Sequence, residues 1–358
     1  MSTQQANPAP TAAPTQQEVA VDRAQTAISR GYLPVDMALL VPGPKREFDL
    51  FRRTGKEMVL FCAASYRLSA SAMRHVRNDG ESTLYVPCEQ GSRLTEYAEK
   101  ALSSTMKDTR LPLTRRTEIL HTTARTIMAD VLSNPTSGDV VRRCARIANG
   151  TVDLFAQDPA ALRTMAALFT RDYYTYTHCV HTCVLGVAMY KYLISPKIAE
   201  LRRFGMGMLL HDVGKSLVDV QILNKPSRLN ELEFKQMQSH PLMGWKALEQ
   251  QGVSDGLIRQ AVLMHHEKLD GSGYPGRLTA KDLEAPARVA ALVDVYDALT
   301  TDRQYRPAMT HRQAADLMRN TMLGEHLDPE YFTALERVCR SFGFRSSAKT
   351  EPSTSQDS

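Results

Sequence analysis

The sequence lacks the features that would place the protein in a membrane or on nucleic acid. No stretch approaches the roughly 18 consecutive apolar residues that a membrane-spanning helix needs, and no basic-then-apolar signal sequence opens the chain. The net charge is only +5, without a basic recognition helix, so DNA binding is not indicated. The six cysteines include no C-x-x-C pair. We therefore expect a cytoplasmic protein with reduced, partly buried thiols.

The overall composition is that of an ordinary globular protein, with 43% hydrophobic and 23% charged residues among 358. Apolar residues recur at helical spacing after residue 91, whereas short alternating runs precede it. The predicted fold is mainly α, with an all-helical bundle in the C-terminal half and a small β-containing module before it. The expected segments are a disordered tail (1–28), a mixed α/β module (29–90), a helical connector (91–158), the helical domain (159–344) and a second disordered tail (345–358).

Capping signals predict several helix bounds within the helical domain. Asn230 and Glu233 have the spacing of a capping box and predict a helix that reaches His240. Ser254 is the expected N-cap of the helix that leads to His265. Further helices are predicted from Tyr174 to Ile194, from Ile198 to Leu210, from Pro286 past Asp294, from Thr310 and from Asp328.

The motif His211-Asp212-Val213-Gly214-Lys215 follows one of these helices directly. Neutral imidazole and ionised carboxylate bind borderline divalent metals, and a carboxylate can bridge two of them. A lysine within one turn suits a substrate that contains phosphate. Because a histidine–aspartate pair also recurs by chance, its interpretation depends on the residues that accompany it.

Histidines accumulate in the same part of the chain. Six of the ten fall between positions 178 and 266, at the start, middle or end of several predicted helices: His178, His181, His211, His240, His265 and His266. A helical bundle can direct such side chains at one interior site, and Asp212 and Asp294 add carboxylates. So many ligands exceed what one tetrahedral zinc ion needs and indicate two metal ions. Packing or surface positions are the better interpretation for His121, His181, His311 and His326.

Two further segments near these residues suit a substrate. The stretch Asp270-Gly271-Ser272-Gly273-Tyr274-Pro275-Gly276 cannot continue a helix. Its glycines allow close backbone approach to a ligand, and Tyr274 offers a stacking face. Beyond Asp294, residues 302–306 bring two arginines and a tyrosine, which suit phosphate and purine recognition. Beside candidate metal ligands, we interpret both segments as substrate-facing.

Together these motifs resemble the HD-GYP domain, a subgroup of the HD metal-dependent phosphohydrolases. The resemblance covers roughly residues 160–343 and includes HDVGK, the His240-Pro241 step, HHEKLDGSGYPGRL, DVYDALTTDRQYR and a late HLDP. Members hydrolyse the bacterial second messenger cyclic di-GMP to linear pGpG or on to GMP, and some act on related cyclic dinucleotides. The resemblance therefore implies an HD-type helical fold and a cyclic di-GMP phosphodiesterase in bacterial signal transduction.

The resemblance also implies roles for individual residues. The implied metal ligands are His178, His211, Asp212, His240, His265, His266 and Asp294, with Asp212 bridging. The implied catalytic residues are Asp212 and Lys215, and the implied substrate-binding residues are Gly273, Tyr274, Pro275, Arg303 and Arg306. Some members hold a third metal with a glutamate four residues before the first histidine. Tyr174 stands there in this chain, which is similar to the two-metal subgroup, so the implied cofactors are two divalent ions, iron or manganese.

The sequence leaves one alternative of another class. A non-catalytic sensor would use the same residues to bind cyclic di-GMP, or would bind a diguanylate cyclase partner through the Gly271–Gly276 loop. The amphipathic helices of the connector can support a homodimer or transmit a signal. Conversion of cyclic di-GMP to pGpG by metal-loaded protein distinguishes the enzyme from the sensor.

Overall fold

A computed structural model of the chain describes most residues between 31 and 341. The described residues are 31–35, 39–40, 45–55, 57–69, 71–72, 74, 76, 83–158, 160–169, 174–225, 227–302 and 306–341. Both predicted tails, 1–28 and 345–358, lie outside the described residues, as does Arg303.

The chain divides into two compact units, Met1–Ala98 and Glu99–Ser358. The first unit contains an antiparallel sheet with strands β1 (Tyr32–Val35), β2 (Leu50–Thr54), β3 (Glu57–Cys62) and β4 (Leu84–Pro87), in the order β1-β4-β2-β3. In β2, Phe51 pairs with Leu60 of β3 and with Tyr85 of β4. Phe48 and Leu50 are fully buried within its apolar core. The predicted β-containing module is thus confirmed.

Helices make up most of the remaining described chain. They are α1 (Gly91–Lys107), α2 (Leu113–Ser133), α3 (Val140–Gln157), α4 (Ala161–Ala166), α5 (Thr175–Leu193), α6 (Ile198–Leu210), α7 (Val220–Leu223), α8 (Glu231–Met237), α9 (His240–Gln250), α10 (Gly256–Met264), α11 (Ala285–Thr300), α12 (His311–Thr321) and α13 (Pro329–Ser341), with a 3₁₀ turn at Val213–Leu217. The prediction of a mainly helical protein is confirmed.

Helix α5 is the centre of the bundle. Every residue from Thr177 to Tyr190 is buried, because α2, α6, α11 and α13 pack around it. A helix that is apolar around most of its circumference belongs in such an interior position. The polar side chains of its first half, His178 and His181, therefore face other helices and need partners there.

Two predicted helix bounds were wrong. The capping box of Asn230 and Glu233 is present, but α8 ends at Met237 and a separate helix begins at His240. Proline has no N–H and clashes with the carbonyl four residues earlier, so Pro241 ends the first helix. The N-cap of α10 is Asp255, whose carboxylate accepts two backbone hydrogen bonds, and a charged acceptor is favoured over Ser254 at a helix N-terminus.

The cysteines agree with the prediction of partly buried thiols. All six are free, and Cys144, Cys179, Cys183 and Cys339 are buried. Across the part of the chain that the structure describes, we find no helix with the length and apolar character to cross a membrane.

Candidate metal centre

The seven predicted ligand residues come together inside the helical unit. They form two groups in which the candidate ligand atoms lie within 4.8 Å of one another: His178, His211 and Asp294 in one, and Asp212, His240, His265 and His266 in the other. All except His266 are almost completely buried. Each group combines imidazole nitrogen with carboxylate oxygen, a donor set that binds divalent metals.

The three-residue group is built from α5, α11 and the end of α6. His178 Nε2 lies 3.1 Å from His211 Nε2 and 3.0 Å from Asp294 Oδ1. His211 Nε2 lies 3.8 Å from the same Asp294 oxygen. The three donor atoms therefore surround one small volume.

The four-residue group lies where α9 meets the end of α10. His240 Nε2 is 3.2 Å from His265 Nε2. His266 is turned the other way and presents Nδ1, at 3.7 Å from Asp294 Oδ2. Its side chain is 24% exposed, so this side of the centre reaches the surface.

Asp212 extends to both groups. Its Oδ1 lies 3.3 Å from His240 Nε2, whereas its Oδ2 lies 3.5 Å from His211 Nε2. The Oδ1 atom is buried and has no hydrogen-bond partner among the described residues, which is costly for a carboxylate unless a cation meets it. This is the geometry of a carboxylate that would bridge two cations.

Three of the histidines lie just beyond a helix end, and this position fixes their tautomers. The last carbonyls of a helix have no intrahelical partner. Each of the three Nδ1 atoms lies within hydrogen-bond distance of the carbonyl three residues earlier. These pairs are His211 with Met208 O at 2.7 Å, His240 with Met237 O at 2.8 Å and His265 with Val262 O at 3.0 Å. Because a neutral imidazole carries one proton, Nδ1 donation leaves a lone pair on Nε2.

The lone pairs then face one another across each group. His178 Nδ1 lies 2.7 Å from Asp297 Oδ2, so its Nε2 is also an acceptor. It lies 3.1 Å from the Nε2 acceptor of His211, and His240 and His265 face each other in the same way at 3.2 Å. Two acceptors at such distances repel unless a cation lies between them. The residues of this centre therefore fit divalent metal ions.

Burial keeps His211, His265 and His266 neutral, and Lys215 keeps the Asp212 carboxylate ionised. Burial lowers the pKa of His211, lowers that of His265 well below 6.5 and lowers that of His266 to about 3. Burial opposes the charge of Asp212, but the Lys215 ammonium, 2.6 Å from Oδ2, holds the pKa of this carboxyl well below its usual range. These protonation states are the ones that bind metals.

The lowered histidine pKa values predict how the metal-free protein responds to pH. Between about pH 3 and 6.5 the unfolded chain protonates these imidazoles, while the folded chain keeps them neutral. Because the unfolded state then binds more protons, stability should be complete above that window and fall as the pH falls through it. The midpoint Tm of chelator-treated protein, measured by calorimetry across the window, checks this. The variant His326→Gln, which changes a half-buried histidine outside the centre, should show the same dependence, and a Tm that does not change with pH would contradict the prediction.

Known proteins are similar to this chain in sequence and in fold. A family described as "HD domain" matches residues 188–331. This segment of the chain is thus similar to HD domains. A cyclic di-GMP phosphodiesterase of Pseudomonas aeruginosa is 37% identical over 180 residues, which are 50% of this chain and 43% of that protein. A cyclic di-GMP phosphodiesterase of Vibrio cholerae is 34% identical over 198 residues, 50% of this chain and 40% of that protein. This chain thus spans less than half the length of these relatives.

A third relative acts on another cyclic dinucleotide, and a solved structure shares the fold. A 3'3'-cGAMP-specific phosphodiesterase of V. cholerae is 37% identical over 159 residues, 42% of this chain and 34% of that protein. An HDG"Y"P protein of Bdellovibrio bacteriovorus has a TM-score of 0.63 at 17% identity, covering 86% of this chain and 99% of that one. At this identity the structural likeness shows the fold alone. With these relatives, the resemblance to HD-GYP domains is confirmed.

Asp297 lies within the residues that match the HD domain family, and the sequence patterns did not single it out. Its Oδ2 accepts the His178 Nδ1 hydrogen bond, and its Oδ1 lies 3.3 Å from His181 Nδ1. Burial opposes its charge, but His181 and His178 lower the pKa of this carboxyl to about 2. An ionised carboxylate behind a ligand histidine fixes both its tautomer and its ring orientation. The sequence signal that could have identified Asp297 is its spacing. It lies three residues after Asp294, and residues with this spacing share one face of a helix.

We expect Asp297→Asn to weaken metal binding at the three-residue group about 10- to 100-fold, the usual effect of losing a carboxylate partner of a ligand histidine. The amide keeps the size of the side chain but removes the charge that orients His178. Calorimetric metal titration of the variant measures the change. The exposed carboxylate Asp316 provides a matched control, since Asp316→Asn should leave metal affinity unchanged. Wild-type affinity in Asp297→Asn would exclude this role.

The loop after His266 is fixed against the ligand pair. A Cβ on Gly273 would lie 2.5 Å from both Glu267 Cα and Lys268 N, so a side chain at this position would force the two backbones apart. Glu267 is a second residue that the sequence patterns missed. Its side chain is buried, and it accepts hydrogen bonds from the backbone N–H groups of Gly276 and Leu278. The carboxylate thereby anchors the loop that contains Tyr274.

The predicted substrate-binding side chains lie in different surroundings. The Tyr274 ring is 4.7 Å from the His266 ring, centroid to centroid, and Pro275, which follows through a cis peptide bond, is exposed. Arg306 instead donates to the carbonyls of Ala298 and Leu299, at 2.7 and 3.1 Å, as arginines do at helix C-termini. Its role in substrate binding stays a prediction. The same holds for Arg303, which lies outside the described residues.

Proposed function

We propose that this chain is a metal-dependent phosphodiesterase that hydrolyses cyclic di-GMP to pGpG, to GMP or to both. The observation that carries the proposal is the position of Asp212, whose two oxygens face separate groups of neutral imidazoles. Two-cation sites of this kind are typical of enzymes that cleave phosphate esters. Relatives that act on cyclic di-GMP and on 3'3'-cGAMP support a cyclic dinucleotide as the substrate.

We propose two divalent ions, iron or manganese, with one held by each group and Asp212 shared between them. Bound there, they would supply Lewis-acid stabilisation of the phosphate and a water of lowered pKa for the attack on phosphorus. Both ions suit mixed imidazole and carboxylate ligands. The metal content of protein purified without added metal, measured by mass spectrometry, tests their identity and number.

Lys215 is the proposed electrostatic partner of the substrate. Its ammonium lies 2.6 Å from Asp212 Oδ2, and its side chain is 15% exposed, so it reaches from the buried carboxylate towards solvent. In this position it would neutralise negative charge that builds up on the phosphate oxygens during attack. Gly273, Tyr274, Pro275, Arg303 and Arg306 are the proposed contacts to the rest of the dinucleotide.

A product assay tests the function directly. The full chain, loaded with manganese or iron, is incubated with cyclic di-GMP and, in parallel, with 3'3'-cGAMP, and the products are separated by chromatography. We expect pGpG or GMP from cyclic di-GMP, and no product after treatment with a chelator or in His211→Ala. Tight binding of cyclic di-GMP without product would favour the sensor instead. The predicted diguanylate cyclase partner and homodimer stay predictions and are not needed for this reaction.

A further inference from the structure

Two stacked tyrosines lie at the start of α5, outside the candidate metal centre. The Tyr174 and Tyr176 ring centroids are 5.1 Å apart, with the rings 8° from parallel. The Arg125 guanidinium lies over the Tyr176 ring, 5.7 Å from its centroid. Tyr174 is 54% exposed, although an aromatic ring normally buries most of its surface. We call Tyr174, Tyr176 and Arg125 the tyrosine platform.

The platform is adjacent to the metal centre. The Tyr174 carbonyl accepts the His178 backbone N–H at 3.0 Å, so Tyr174 precedes this ligand by one helical turn, about 5.4 Å along the axis. His178 Nε2 in turn lies 3.0 Å from Asp294 Oδ1. Asp294 is 9% exposed at its side chain, and His266 beside it is 24% exposed. Tyr174 thus lies one helical turn from His178, and His178 contacts Asp294 at the open side of the centre.

The platform is also preorganised for a flat ligand. Tyr176 stacks with Tyr174 and also contacts the Arg125 guanidinium, a cation–π arrangement that stabilises the position of the ring. The Nε of Arg125 is buried and has no hydrogen-bond partner within the described residues, and its guanidinium gives the platform a positive charge. A purine that belongs to an anionic nucleotide combines the flat face and the negative charge that such a surface favours.

We propose that the tyrosine platform binds a purine base of the cyclic dinucleotide, with the base stacked on the exposed ring of Tyr174. The inference rests on the proposed phosphodiesterase function and adds a base subsite to it. Stacking accepts any purine because every base has a π-face. The platform therefore contributes affinity without selecting guanine over adenine, and 3'3'-cGAMP should depend on Tyr174 as strongly as cyclic di-GMP does.

The test compares three variants of the full manganese-loaded chain. Tyr174→Leu removes the aromatic ring, Tyr174→Phe keeps it, and Tyr192→Leu removes an equally exposed tyrosine (54%) from the other end of α5. The readouts are KM and kcat for cyclic di-GMP, and the Kd for its phosphorothioate analogue by calorimetry. We expect Tyr174→Leu to raise both KM and Kd about 5- to 100-fold, the range for loss of one base–aromatic stack, with kcat retained. Tyr174→Phe and Tyr192→Leu should behave as the wild type.

The possible failures are distinguishable. If the wild type binds and hydrolyses cyclic di-GMP but Tyr174→Leu keeps the wild-type Kd, the base subsite is wrong and the phosphodiesterase function stands. If Tyr174→Phe raises the Kd as much as Tyr174→Leu does, the hydroxyl group and not the ring contacts the ligand, and the stacking proposal is overturned. If the wild type neither binds nor hydrolyses either cyclic dinucleotide, the function and the subsite are both wrong. Wild-type Tm values in the variants establish that a changed Kd is not a folding defect.

Discussion

Asp212→Asn should abolish hydrolysis of cyclic di-GMP and prevent both metal groups from filling. Asparagine has the shape of aspartate, but its amide is uncharged and presents N–H groups to one side. The imidazoles of His211 and His240, 3.5 and 3.3 Å from the two carboxylate oxygens, would then have no anion between them. We expect the metal content to fall from about two ions per chain to fewer than one, and kcat to fall by more than about 100-fold, beyond the usual effect of losing a carboxylate that only orients a ligand.

Mass spectrometry of the purified variant measures metal content, and the product assay measures turnover. Asp316→Asn is the matched control, because Asp316 is an exposed carboxylate (53%) on α12 and its loss should change neither quantity. If Asp212→Asn retained two ions and lost only activity, Asp212 would act on the substrate and not as a bridge. If it retained both, the two-cation centre would be wrong.

The sequence predicts that the candidate ligand residues cluster, and the positions of three of these histidines follow from local rules. His211 and His265 come directly after predicted helices, and a residue just past a helix C-terminus lies beside open carbonyls. His240 also lies beside an open helix carbonyl, but for a different reason. Pro241 has no N–H to offer Met237, and the carbonyl of Met237 is the one that His240 Nδ1 contacts at 2.8 Å. The helix break that the prediction missed is therefore part of what fixes the tautomer of this ligand.

Residues that act through another residue could not be predicted in this way. The role of Asp297 depends on how α11 packs against α5, which brings it to His178 across 119 positions of sequence. Glu267 directly follows the His265-His266 pair in sequence, and only the loop conformation shows that it accepts hydrogen bonds from the N–H groups of Gly276 and Leu278. Arg306 shows the converse. An arginine suits phosphate binding, but the guanidinium of Arg306 donates instead to backbone carbonyls at the end of α11.

Gly214→Ala should have the second large effect, through the backbone alone. A Cβ on Gly214 would lie 1.9 Å from the His240 carbonyl oxygen and 2.6 Å from Gly244 N. Neither atom belongs to a flexible side chain, so the 3₁₀ turn after Asp212 and helix α9 would have to separate. We expect a loss of about 3 kcal/mol or more in stability, at or above the usual cost of overpacking. For a unit of this size that corresponds to a Tm lower by about 6 °C or more.

The same separation moves His240 away from Asp212, so Gly214→Ala should also lose metal from the four-residue group. Gly256→Ala is the control, because a Cβ there meets no atom within 4 Å and the residue has ordinary helical backbone. Calorimetry of the metal-free variants measures the stability change, and metal titration measures the site. A variant with lowered Tm but wild-type metal affinity would mean that the turn and α9 can separate without moving the ligands. A variant that loses both stability and metal affinity would mean that the close contact between the two backbones holds Asp212 and His240 at their observed separation. The turn that contains Lys215 would then need glycine at position 214 to keep the candidate metal centre intact.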